Sequence, residues 1–141
     1  MATTRADALT GTSKQKEYFS DFLTGFDITP FGNQLGRVTN EQAVNQSLKN
    51  LIKTNLGERP FQPMVGSDVY SMLFENQYPE DISLLELFIK NTIENNEPRA
   101  NLLGVEVKIQ PNENSLEISI YYTLINNPEP ITLTVLLKRV R

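Results

Sequence analysis

Leu116-Glu117-Ile118-Ser119-Ile120-Tyr121-Tyr122-Thr123-Leu124 carries an apolar side chain at every second position. A period of two marks an extended strand with one face on a core and the other more polar. The same period continues on both sides. Upstream, Val105, Val107 and Ile109 alternate with Glu106 and Lys108; downstream, Ile131, Leu133, Val135 and Leu137 alternate with Thr132, Thr134, Leu136 and Lys138. Pro111-Asn112-Glu113-Asn114 and Asn126-Asn127-Pro128-Glu129-Pro130 are the turn-forming stretches between the runs. They predict a C-terminal three-stranded antiparallel meander, whose last strand, about 130–138, lies at a sheet edge.

Towards the N-terminus the period changes to that of helices. Thr39-Asn40-Glu41-Gln42 reads as a capping box, and Val44, Leu48, Leu51 and Ile52 then fall on one stripe. A helix is expected over 40–56, ended by Gly57 in the left-handed conformation. The loop from Gly57 to Ser67 holds Pro60, Phe61, Pro63 and Gly66, a composition that fixes its backbone. Ser67 or Asp68 should cap a short helix over about 68–75, with Val69, Met72 and Leu73 inward. Pro79 suits the first turn of a third helix, with Glu80 and Asp81 at its positive end. That helix buries Ile82, Leu85, Ile89 and Ile93, widened by Leu84, Phe88 and Thr92, and stops near Asn95-Asn96. About three helices on a small antiparallel-rich sheet define an α+β fold. Tyr18, Phe19, Phe22 and Phe26 read as further core, Asp27 to Asn33 as a turn-rich stretch, and 34–39 as short strands or a hairpin. Residues 1–17 are small and polar, expected to be flexible or ordered by a partner, leaving 18–141 as one domain.

Composition narrows the chemistry. The 141 residues are 39% hydrophobic and include no cysteine and no histidine. Disulfides, Cys/His zinc sites, histidine-dependent triads and thiolate catalysis are thereby excluded. No apolar run approaches a membrane span, and no signal peptide is visible at the start. Seventeen acids against thirteen bases give a net charge of −4, which disfavours nucleic acid as a partner. Residues 61–100 hold seven acids and two bases, whereas Lys138-Arg139-Val140-Arg141 is basic. That asymmetry suits contact with other proteins.

Two kinds of candidate site remain. Glycosidases need only two carboxylates at a defined separation, and Glu58, Glu75 and Glu97 lie beside element ends. Glu58-Arg59 and Glu97-Pro98-Arg99 each set opposite charges in a turn beside proline, where an Arg fork can bind a carboxylate or carbonyl oxygens, or simply brace its own loop. The loop from Gly57 to Gly66 has neither the spacing nor the lysine of a phosphate-binding loop.

The ordered set of motifs carries a resemblance. Val44-Asn45-Gln46-Ser47-Leu48-Lys49-Asn50-Leu51-Ile52-Lys53-Thr54 runs into Gly57-Glu58-Arg59-Pro60-Phe61-Gln62-Pro63-Met64-Val65-Gly66-Ser67, followed by Leu73-Phe74-Glu75, Glu97-Pro98-Arg99 and Val105-Glu106-Val107. With Asp27-Ile28 ahead of them, these resemble, in order, the baseplate wedge or sheath-initiator family of contractile-tailed phages, shared with pyocin-like particles and type VI secretion baseplates. The resemblance implies a fold related to the sheath protein's C-terminal domain and a place in the virion tail baseplate, assembled in the host cytoplasm in multiple symmetric copies. It implies that Glu97, Pro98 and Arg99 hold the helical core bundle of larger wedge subunits and that the first tail sheath ring is nucleated here. Glu58 and Arg59 join the expected partner contacts, as do Lys138, Arg139 and Arg141 beside the last strand. No cofactor, metal or catalytic residue is implied. An older description of the family as an acidic lysozyme supplies the alternative, a glycoside hydrolase acting through carboxylates.

Overall fold

The computed structural model describes residues 16, 18–28, 34–74, 79–110 and 115–138. The expectations for most of 1–17, the turns at 29–33 and 111–114, Glu75, Arg139 and Arg141 lie outside the described residues. The elements run β1 (Ser20–Phe22), β2 (Arg37–Thr39), α1 (Asn40–Lys53), α2 (Val69–Phe74), α3 (Pro79–Asn96), β3 (Ala100–Gln110), β4 (Ser115–Leu124) and β5 (Asn127–Lys138). β3, β4 and β5 form the antiparallel meander in that order, with β4 in the centre and β5 at an edge.

The alternation in β4 sends Leu116, Ile118, Ile120, Tyr122 and Leu124 to one face, where all five are buried. Val107 from β3 and Val135 and Leu137 from β5 extend the layer. Leu85, Ile89 and Ile93 of α3 and Val44, Leu48, Leu51 and Ile52 of α1 close over it. Each such side chain contributes about 1.5–3 kcal/mol by leaving water, so this layer carries most of the fold's stability. The Tyr122 hydroxyl crosses the core and donates to Asn45 Oδ1 of α1 at 2.8 Å.

Several local expectations give way to tertiary structure. Thr39 makes no side-chain cap bond and pairs through its backbone with Ser20 as the last residue of β2. Asn40 instead takes a left-handed φ of 48°. Its Oδ1 accepts the Tyr18 and Phe19 N–H groups, and its Nδ2 donates to Lys16 O. α1 ends at Lys53, short of 56, where Thr54 turns extended and places its N–H and Oγ1 on Asn50 O. Gly57 is left-handed, at φ 81°, but in the loop beyond the helix. The Asn127 to Pro130 stretch, expected as a turn, is the start of β5, with Ile125 and Asn126 turning the chain. Its prolines lack donors, which an edge strand tolerates on its outer side.

The aromatic segment is not core. Tyr18, Phe22 and Phe26 are exposed, and only Phe19 packs against the core. β1 and β2 form a separate two-stranded ribbon. It hangs on α1 through Asn40 and through Gln46, whose Nε2 donates to Phe22 O at 2.7 Å. No second layer covers its outer face among the described residues, so the rings stay in water. Leu84 and Phe88, expected to widen the buried face of α3, are likewise exposed.

The loop after α1 is closed by its own backbone. Gly57 N–H donates to Pro63 O at 2.8 Å, Gln62 N–H to Arg59 O at 3.3 Å, and Ser67 N–H to Thr54 O at 2.8 Å. Ser67 is buried and donates its hydroxyl to Ile52 O, and Asp68, the residue before α2, accepts the Ser71 hydroxyl at Oδ1 at 3.0 Å. Gly66, at φ 148°, passes so close to the end of α1 that a Cβ would stand 2.8 Å from both Thr54 O and Asn55 O. A Cβ on Gly57 meets nothing within 4 Å. Gly66→Ala should therefore cost about 2–4 kcal/mol, by strain and backbone collision together. Gly57→Ala should cost only about 1 kcal/mol, from its left-handed φ alone. Thermal unfolding of the two variants side by side checks that order.

Candidate functional site

The Glu97-Pro98-Arg99 turn joins α3 to β3. Glu97 N–H still closes the last helical bond to Ile93 O at 2.8 Å, and Glu97 O accepts Ala100 N–H at 3.2 Å. Pro98 thus occupies the second position of a tight turn, where its fixed φ is favourable. Across this turn the two charged side chains meet. Arg99 Nε donates to Glu97 Oε1 at 2.6 Å, Arg99 Nη2 donates to Oε2 at 2.7 Å, and Ser47 of α1 donates to Oε2 at 2.5 Å.

The carboxylate is nearly sealed, 3% exposed. Burial pushes its pKa up, but hydrogen bonds from Arg99 and Ser47 and the guanidinium charge outweigh it and hold Glu97 below the usual carboxylate value. The Arg99 pKa is raised, chiefly by its hydrogen bond to Glu97. Arg99 also lies 5.7 Å from the centroid of the Phe19 ring, and its carbonyl accepts Ile125 N–H at the β4–β5 turn. The fork uses two of the five guanidinium donors. Burial, with the negative charges of Glu41 and Glu97, raises the Tyr122 pKa, so its hydroxyl stays a neutral donor.

The other sequence candidates scatter. Glu58 and Arg59 form no ion pair among the described residues, because Glu58 Oε2 turns back to accept Asn55 N–H at 2.9 Å. Both line a cleft of about 900 Å³ whose other wall includes Ser47 and Asn96, beside the Glu97 clamp. Phe61, expected to brace the loop, points fully into solvent. Lys138 ends β5, paired with Ser115, whereas Ala100 at the clamp pairs with Leu124. The ten-residue β4 separates those two ends by about 30 Å.

Three contributors escaped the sequence reading. Ser47 sits on α1 among polar neighbours and carries no local sign of a carboxylate partner fifty residues away. Phe19 was read as core without its cation. Glu86, on α3, accepts Val107 N–H at 2.9 Å and so occupies an outward donor of β3. Among the described residues, no group of three or more acidic side chains could hold a metal.

The family model described as baseplate wedge protein gp25 matches residues 38–129. The chain belongs to the baseplate wedge protein gp25 family. Baseplate wedge protein gp25 of Enterobacteria phage T4 is 32% identical over 110 residues, covering 74% of this chain and 83% of that protein. The fold recurs in a putative tail lysozyme from Geobacter sulfurreducens, with a TM-score of 0.66 and 24% identity over 72% of this chain and 92% of that one. It recurs also in the anti-feeding prophage baseplate, with a TM-score of 0.61 and 21% identity over 85% of each chain. A third instance lies in the baseplate complex of the type VI secretion system, with a TM-score of 0.61 and 13% identity over 71% of this chain and 93% of that one. Family membership makes the chain a structural part of a tail baseplate wedge, as the motif resemblance implies. The gp25 match takes in α1, the 57–66 loop and the Glu97 clamp, and stops inside β5.

The clamp sets a stability prediction. Arg99→Ala leaves Glu97 buried with Ser47 as its side-chain donor and should cost about 2–3 kcal/mol, discounted from the ~3–5 of a fully buried broken pair because Arg99 is partly solvated. Arg99→Lys should recover less than half, since an ammonium cannot make the fork. Glu97 ionises at lower pH folded than unfolded, so its contribution is full above the ordinary value of 4.5 and is lost as pH falls through the lowered folded value. Denaturant melts between pH 7 and pH 3 should show a larger acid-side loss in the wild type than in Glu97→Gln, which keeps the smaller contribution of Glu106.

Proposed function

We propose that this wedge protein is a non-enzymatic adaptor. Glu97-Pro98-Arg99 grips the helical core bundle of larger wedge subunits, and β5 offers its edge to the first ring of tail sheath. The observation that carries the reading is the inequality of the two sheet edges. β3 lies against α3, and Glu86 holds the outward N–H of Val107. β5 is twelve residues long, and no further strand pairs with it among the described residues. An uncovered edge is a template for an added strand, because its N–H and C=O groups gain partners. Thr132, Thr134 and Leu136 along it favour extended backbone. The basic residues Lys138, Arg139 and Arg141 discourage self-pairing and would steer an acidic partner arm.

The clamp argues against carboxylate catalysis. A general acid needs a raised pKa, and a nucleophile needs an oxygen open to substrate. Glu97 has neither: its pKa is lowered, and both oxygens accept bonds from Arg99 and Ser47. Glu58 is exposed in the loop, its Oε2 engaged by a backbone N–H. Purified protein should therefore release no more product from peptidoglycan than buffer does. Turnover abolished by Glu58→Gln or Glu97→Gln, in folded variants, would establish the hydrolase instead.

For the adaptor role, Lys138, Arg139 and Arg141 all changed to Glu should leave the fold and the wedge intact, yet give baseplates that start few sheaths. Electron microscopy of assembled tails measures the sheathed fraction, and an unchanged fraction removes the basic end from the mechanism. Arg99→Ala, kept well below its melting temperature, should fail to co-assemble with the wedge subunits.

A further inference from the structure

The loop from Gly57 to Gly66 holds two large apolar side chains outward. Phe61 is 102% exposed and Met64 85% exposed. Phe61 also has a left-handed φ of 66°, a conformation that costs a bulky residue about 1–2 kcal/mol. The backbone is kept from relaxing by the Gly57 N–H to Pro63 O bond and by the fixed φ of Pro60 and Pro63. A phenylalanine held in water on strained backbone contributes nothing to the isolated fold.

Met64 also lines a groove of about 410 Å³, with Leu56, Met72 and Phe88 as its other apolar parts, and Phe61 stands three residues earlier in the same loop. Asn91 and Asn95 give the groove a neutral amide rim. Phe88, Asn91 and Asn95 follow at i, i+3 and i+7, so α3 forms a straight wall about 10 Å long. Resting on the wedge reading above, we infer that this face receives an amphipathic helix with a basic flank from a different wedge subunit, anchored by Phe61 and Met64. A helix lies well along a helical wall, and α3 has no unpaired strand edge to take an extended segment. Charge selects the partner. α3 carries Glu80, Asp81 and Glu94 besides Glu86, which is turned to β3, against Lys90 alone, and Lys90 pairs with Glu94 at 4.0 Å. Asp68 adds a further acid to the groove lining. A second copy meeting this face α3 to α3 would set acid against acid, whereas Lys or Arg along a partner helix is attracted.

The test replaces Phe61 by the photocrosslinking residue p-benzoylphenylalanine in assembled particles, with Leu103, exposed on β3, replaced in the same way as control. The expected product joins position 61 to a helical, Lys- or Arg-bearing peptide of another baseplate protein, identified by mass spectrometry. A crosslink to a second copy, or to an acidic or extended peptide, overturns the inference. So does crosslinking no stronger than the Leu103 control in baseplates that contain the chain, and the wedge reading then survives. Absence of the chain from purified baseplates removes both. Phe61→Ala combined with Met64→Ala should leave the melting temperature unchanged and lower incorporation into baseplates at least about tenfold, the effect of losing central apolar anchors. Undiminished incorporation overturns it.

Discussion

A carboxylate taken out of water must be matched donor for donor, and Glu97 is where this fold meets that demand. Its two oxygens are satisfied by Arg99, two residues along, and by Ser47, on another helix. Meeting the demand fixes geometry. The angle between the end of α3 and the start of β3 is set by the turn that brings Arg99 back over Glu97. The separation of α1 from α3 is set by the reach of Ser47. The Arg99 carbonyl then holds Ile125 and with it the β4–β5 turn, and the guanidinium covers Phe19 of the N-terminal ribbon. Four parts of the chain meet at one buried charge. Because removing Arg99 leaves that buried charge without its ion-pair partner, the junction is stiff where the core alone would allow sliding.

The apolar layer and the clamp divide the work between them. Leu116, Ile118, Ile120 and Tyr122 hold sheet to helices without direction, because apolar burial is proportional to area and indifferent to angle. Direction comes from the polar bonds at its margins: Tyr122 to Asn45, Glu97 to Ser47, Glu86 to Val107. Glu86 has a second consequence. By accepting an outward N–H of β3, it makes that edge a poor template and leaves β5 as the open one.

What could be read from sequence follows the range of the interactions. The strands of the meander and the core stripes of α1 and α3 depend on periodicity within one element, and each is where its pattern puts it. The Glu97-Arg99 pair was legible because both members lie in one turn. Ser47 was not, since its partner is fifty residues away and nothing near it on α1 signals a charge. Thr39-Asn40-Glu41-Gln42 has the letters of a capping box, but Thr39 pairs through its backbone with Ser20 and the ribbon takes the Asn40 side chain. The aromatics at 18–26 misled for a related reason. Apolar composition argues for burial only where a second layer exists to cover it, and the ribbon has none among the described residues. Leu84 and Phe88 fail the same way.

The clamp and the basic end of β5 sit beside opposite ends of the central strand β4. The clamp lies where Leu124 ends β4, and Lys138 lies beside Ser115 at its other end. β4 is buried along nearly its whole length and paired on both sides, so a displacement at one end is passed to the other rather than absorbed. A part that grips a core at one end and templates sheath at the other needs that stiffness, and it needs no chemistry of its own. The match to the gp25 family reaches through the clamp and stops inside β5. In the adaptor reading, the segment matched by the family model holds the clamp, and Lys138 at the end of β5 lies beyond it.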